Sequence, residues 1–177
     1  MKIKGSKIAL IGFRATGKTL VGQTLAQKLH WPFIDMDVQL TATFGQAIDA
    51  YVRSHGWESF RDAESDLLKT LVAQERCVVS TGGGIIERAD NREILADHFL
   101  VIWLRAAPET IQARLLQDPL TAANRPPLTH LPMEKEILEV LQRRTPLYEK
   151  SADLVLDTDN ATPQELASRV ETFLERF

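Results

Sequence analysis

Cysteine is almost missing from this 177-residue chain: Cys77 stands alone. One thiol cannot close an internal disulfide, so a reducing, intracellular setting is expected. Long apolar runs are missing too. The longest, FLVIWL at 99–104, is about six residues, where a membrane span needs about 20. The N-terminal lysines followed by IALIGF make too short a run for a signal peptide. A cytoplasmic protein with no membrane partner is therefore expected. There is no block of like charge: the net charge is −3 and the pI about 5.8, which disfavours a nucleic-acid partner. His30, His55, His98 and His130 are scattered without ligand spacing, so no structural metal is expected.

What is present is ordinary for a globular domain. Apolar residues make up 44% and charged residues 25%, and the length suits a single domain over 1–177 with a full core. Short apolar runs at 7–12, 31–35, 76–84, 98–104 and 153–158 read as strands. Helical spacing covers 18–29, most of 37–74, 107–115, 133–150 and the stretch after Thr162, where Thr162 is a cap and Pro163 the first helical residue. Pro146 is expected to kink or restart its helix. Residues 117–132 hold four of the eight prolines and read as a loop. The alternation predicts a three-layer α/β fold, a parallel sheet with helices on both faces. Such sheets bind ligands at the carboxyl ends of their strands. Gly12, Asp35, Asp37 and Gly82–Gly84 fall at predicted strand ends and should share one rim.

GFRATGKT at 12–19 is a G-x-x-x-x-G-K-[ST] pattern between a strand and a helix. Its glycines allow a tight turn whose N–H groups face phosphate oxygens, and the helix beginning near Lys18 adds its positive end. Gly12, Arg14, Ala15, Thr16, Gly17, Lys18, Thr19 and Leu20 are the expected nucleotide contacts. Lys18 reaches the β- and γ-phosphates, and the Thr19 hydroxyl suits Mg²⁺. An NTP and Mg²⁺ are the implied cofactors.

The acceptor side reads less sharply from single residues. In FIDMD, Asp35 and Asp37 share a face of an extended chain. Asp35 can stand behind the Mg²⁺ shell through water. Asp37 can orient an acceptor hydroxyl or simply cap the next helix. Arg61 and Glu64, spaced i, i+3, are an acceptor grip or a surface ion pair. Gly82–Gly84 after a strand fit a close ligand approach better than a loose loop. Arg125, among prolines, fits a lid over phosphates. Arg144 with Arg61 could fork a carboxylate, although either arginine alone reads as a solvated residue.

Taken in order, GFRATGKT, FIDMD, GWESFRDAE, STGGG, NRPPLT and RTPLYEKSAD resemble shikimate kinase from about residue 7 to 170. Arg14 and RPPLT resemble the second enterobacterial isoenzyme form. The resemblance implies a P-loop, nucleoside-monophosphate-kinase-like fold with a five-stranded parallel sheet, an acceptor-binding helical segment at about 37–67 and a mobile lid at about 117–132. It implies ATP + shikimate → ADP + shikimate 3-phosphate, on the route to chorismate and the aromatic amino acids, by a monomer. Asp37 matches the aspartate on the acceptor hydroxyls. Arg61, Glu64, Gly82, Gly83, Gly84 and Arg144 match the shikimate-binding positions. Lys18, Asp37 and Arg125 match the catalytic set, and Arg114 and Pro163 flank the adenine. Met36 replaces a small residue common in the family and should point away from the site. Leu20, Trp57 and the lack of an arginine after Thr158 are further departures. Two other readings remain open: the same fold acting on another acceptor such as gluconate or a nucleotide, and a nucleotide-binding regulator without turnover.

Overall fold

The computed structural model describes residues 6–118 and 126–176. Five strands, β1 (Lys7–Ile11), β2 (Phe33–Asp35), β3 (Cys77–Ser80), β4 (Leu100–Arg105) and β5 (Leu154–Asp157), form one sheet in the order β2-β3-β1-β4-β5. Every pairing is parallel, as the unbroken apolar runs predict. The pleat divides the core. Ala9 and Ile11 of β1 join Val79, Val101 and Trp103 on one face; Ile8 and Leu10 join Val78, Leu100 and Ile102 on the other. Helices α1 (Lys18–Leu29) and α7 (Pro163–Leu174) cover the second face through Val21, Leu25, Leu166 and Val170. The first face is covered by the end of α3 (Ile48–Leu71), by α4 (Ala89–His98) and by α6 (Met133–Ser151). A further helix, α5 (Pro108–Gln117), packs with α6 and Phe13 around Ile111 and Val140.

The helical stretch expected over 37–74 is two helices, α2 (Met36–Phe44) and α3 (Ile48–Leu71). Gly45 ends α2 at φ 65°, a left-handed cap that glycine takes at little cost. Gly56 breaks α3 with φ 82° and ψ 165°. These pieces enclose a small core of their own, Leu40, Val52 and Phe60 with Phe44, Tyr51 and Trp57, which meets the main core at Leu67.

Pro146 neither stops nor restarts α6, which runs unbroken from 133 to 151. Val140, Arg144 and Tyr148 are buried along its inner side, and that packing carries the helix across the one missing N–H. Thr162 caps α7 in a reciprocal capping box with Glu165, and Pro163 takes the first position. Among the described residues, no helix is long and apolar enough to cross a membrane.

Candidate active site

The loop after β1 is fixed by backbone geometry. Gly12 has φ 144°, and a Cβ there would collide with the Leu104 carbonyl of the neighbouring strand. Gly17 (φ 94°) and Ala15 (φ 61°) are also left-handed. Lys18 turns its ammonium back across the loop, donating to the Gly12 carbonyl at 2.9 Å and the Phe13 carbonyl at 2.8 Å. Thr16 Oγ1 donates to the Phe13 carbonyl at 2.8 Å. The first turn of α1 thus opens onto the loop interior, where its N–H groups and dipole favour an anion.

The two aspartates do not lie on an extended chain, because α2 begins between them at Met36. Asp35 takes the capping role that the sequence left open for Asp37: its Oδ1 accepts the Asp37 and Val38 N–H groups at 3.0 and 3.3 Å. Its other oxygen accepts the Thr19 hydroxyl at 2.8 Å. One carboxylate therefore ties the phosphate loop to the helix that carries Asp37. Met36 points into the main core and is fully buried.

Arg61 and Glu64 are not a surface pair. Arg61 Nη1 lies 2.7 Å from Glu64 Oε2, with Glu64 completely buried and Arg61 only 11% exposed. Burial raises the Glu64 carboxyl above its ordinary 4.5, opposed by the Arg61 charge and hydrogen bond and assisted by Asp37. The Arg61 guanidinium lies over the rings of Trp57 and Phe60, 5.2 and 5.3 Å from their centroids, so Trp57 lines the site as well as the small core. The three glycines meet these side chains one by one. A Cβ on Gly82 would strike Glu64 and come within 3.5 Å of Asp37; on Gly83 it would lie 3.3 Å from Arg144 Nη1; on Gly84 it would overlap the Arg61 guanidinium. The close approach inferred from the glycine run is thus made by charged side chains of the chain itself. Arg144 is 2% exposed. Next to it, Tyr148 donates its hydroxyl to the Gly83 carbonyl at 2.5 Å.

Toward β5, Arg114 links the phosphate loop to the strand end. It donates to the Ala15 carbonyl at 3.1 Å, to Thr158 Oγ1 at 3.0 Å and to the Thr158 carbonyl at 2.7 Å. Arg14 lies 3.9 Å from Glu136. Leu20 is 61% exposed. Arg125 and residues 119–124 of the expected lid lie outside the described residues.

One cleft of about 710 Å³ gathers Arg14–Leu20, Asp35, Asp37, Arg61, Glu64, Gly82–Gly84, Arg114, Arg144 and Pro163. Gly12 is buried beneath the loop and does not line it. The shikimate kinase family model matches residues 14–175. The chain belongs to the shikimate kinase family. It is 40% identical over 153 residues to a shikimate kinase of Nitratidesulfovibrio vulgaris, covering 86% of this chain and 87% of that one. It is also 40% identical to shikimate kinase 2 of Yersinia enterocolitica, covering 92% of each. A solved shikimate kinase from Acinetobacter baumannii in complex with shikimate superposes with a TM-score of 0.90 at 30% identity, covering 97% of this chain and 94% of that one.

Within this shikimate kinase fold, two carboxylates escaped the sequence reading. Glu87 Oε1 accepts from Arg144 Nε at 2.8 Å and from Arg143 at 2.9 Å. Burial pushes the Glu87 carboxyl up, but Arg144, Arg61 and Arg143 outweigh it and hold it below the ordinary range. Glu136 accepts the Leu128 and Thr129 N–H groups at 3.0 and 2.8 Å, fastening the described end of the expected lid stretch to α6. Neither residue sits in a recognisable motif; only three-dimensional contact singles them out. The hydroxyl–carboxylate pair of Thr19 and Asp35 fits a hard cation. Among the described residues no group of three or more His, Cys, Asp or Glu could hold a metal. Two oxygens of this kind could hold a hard cation that takes its remaining ligands from water and phosphate.

Proposed function

We propose that this chain transfers the terminal phosphoryl group of ATP to the 3-hydroxyl of shikimate, giving ADP and shikimate 3-phosphate. The observation that carries the reading is the joining of two half-sites in one cleft. A phosphate loop lies on one side; Asp37, Arg61 and Arg144 lie around Gly82–Gly84 on the other. The buried Arg144 and the largely covered Arg61 suit a small carboxylate, which they can hold in a fork. Asp37 accepts the hydroxyl proton's hydrogen bond and aims the oxygen at the γ-phosphorus. The new O–P bond forms as the bond to the β,γ-bridging oxygen breaks, and the hydroxyl proton passes to Asp37 or to solvent. Lys18 moves its donors from the Gly12 and Phe13 carbonyls to phosphate oxygens, beside the N–H groups of the loop. Thr19, with Asp35 behind it, would hold Mg²⁺, which would supply neutralisation of phosphate charge. Positioning and charge stabilisation supply most of the rate. Arg114 and Pro163, on the β5 side of the cleft, flank the adenine. The lone cysteine supports a cytoplasmic setting.

The test is ADP release from Mg·ATP with shikimate, gluconate or AMP as acceptor. Shikimate-dependent release is expected. Turnover with gluconate or AMP alone refutes the named acceptor, and silence with all three refutes the enzyme.

A further inference from the structure

We infer that Glu87 is a positioning residue that sets the acceptor-site arginines and thereby the preference for a carboxylate-bearing acceptor. This rests on the proposed shikimate reaction and deepens it. Glu87 ends a short 3-10 turn, Ile85–Glu87, directly after the triple glycine. The turn is clamped. Ile85 and Ile86 are fully buried, Asn91 Nδ2 donates to the Ile85 carbonyl at 3.0 Å, and Arg92 Nη1 donates to the Ile86 and Glu87 carbonyls at 2.7 and 3.0 Å.

From this fixed base the Glu87 carboxylate meets three arginines. Its Oε1 takes Arg144 Nε and Arg143 Nη2, and its Oε2 lies 3.8 Å from Arg61 Nη2. A guanidinium offers five N–H donors in a rigid plane, so fixing one edge fixes where the others point. With Nε of Arg144 held by Glu87, its Nη1 lies beside Gly83 at the cleft. Glu64 holds Arg61 in the same manner through Nη1. Each arginine is thus gripped by a carboxylate of the chain and turns its remaining donors toward the acceptor. Glu87 also relieves the mutual repulsion of Arg61, Arg143 and Arg144, which would otherwise push the guanidiniums apart.

The test compares steady-state kinetics of the parent, Glu87→Ala and Glu87→Gln. Loss of one charge-assisted hydrogen bond corresponds to about a tenfold change. Glu87→Ala should therefore raise KM for shikimate about tenfold, while kcat and KM for ATP stay within about twofold. Glu87→Gln keeps an acceptor oxygen for Arg144 Nε and should fall between the two, which also serves if the alanine variant folds poorly. An unchanged KM for shikimate in both variants overturns the inference. So does a fall in kcat with parallel changes in both KM values, the pattern of general structural damage. A parent that ignores shikimate overturns the proposed function and this inference with it; an active parent with indifferent variants overturns only the role of Glu87.

Discussion

Gly84→Ala separates two accounts of the triple glycine. Gly84 sits at φ −96° and ψ 7°, a conformation open to any residue. If backbone freedom were all that mattered, alanine there would stabilise the protein by about 0.4–1 kcal/mol. The packing predicts the reverse. A Cβ at Gly84 would lie 2.5 Å from Arg61 Cζ and 2.6 Å from its Nη1, so the guanidinium must leave. Leaving gives up its place over the rings of Trp57 and Phe60 and its ion pair with Glu64. Its departure strands Glu64, which is completely buried. Removing one partner of such a pair costs about 3–5 kcal/mol when the other stays charged. Glu64 escapes part of this by taking up a proton. At pH 7 that costs about 1.4 kcal/mol per unit above its ordinary 4.5. The parent already carries some of this cost, because its Glu64 is raised as well, so the loss on substitution is bounded at about 3 kcal/mol. The sign follows from linkage. The folded variant binds the Glu64 proton more tightly than its unfolded chain does, so its deficit is absent below the unfolded value of 4.5 and grows as pH rises. Urea denaturation of parent and variant at pH 7 and pH 5 should show a clear deficit at the higher pH that shrinks at the lower. A gain in stability, or an equal deficit at both pH values, would refute the reasoning.

Other outcomes follow from the same contacts. Asp37→Asn should lower turnover by about a hundredfold or more with nucleotide affinity retained, measured by steady-state kinetics and nucleotide titration; near-parent turnover removes Asp37 from the mechanism. Asp35→Ala deletes both the α2 cap and the acceptor of the Thr19 hydroxyl. It should cost about 1 kcal/mol in denaturant melts and raise the Mg²⁺ concentration needed for half-maximal rate. Tyr148→Phe orphans the Gly83 carbonyl and should cost about 1–3 kcal/mol. Burial raises the Tyr148 hydroxyl to about 12, so in the parent stability should fall as pH rises from the ordinary 10 through that value, a limb the phenylalanine variant lacks.

The sheet was legible because its strands are continuous apolar runs, and the phosphate loop because its spacing is tied to one backbone shape. The boundary between β2 and α2 was not. FIDMD offers two aspartates, either of which could cap a helix, and only the fold shows that Asp35 does so while Asp37 enters the first turn. The i, i+3 spacing of Arg61 and Glu64 was visible, but its burial was not, since burial depends on Gly82–Gly84, in the turn after β3, approaching α3. Glu87 left no trace in the pattern because its partners lie about 26 and 57 residues away along the chain. Pro146 misled through its local preference, which the packed inner face of α6 overrides.

The small core beneath α2 and α3 bears on how such a protein diversifies. Leu40, Val52, Phe60 and their neighbours stabilise the proposed acceptor wall largely apart from the sheet, with Leu67 as the junction. Substitutions there can reshape what the wall accepts while the strands and the phosphate loop keep their register. Acceptor preference becomes a nearly separable trait, open to drift and selection on a frame that continues to hold its nucleotide. The limit on that freedom is Asp35, one end of which belongs to each half.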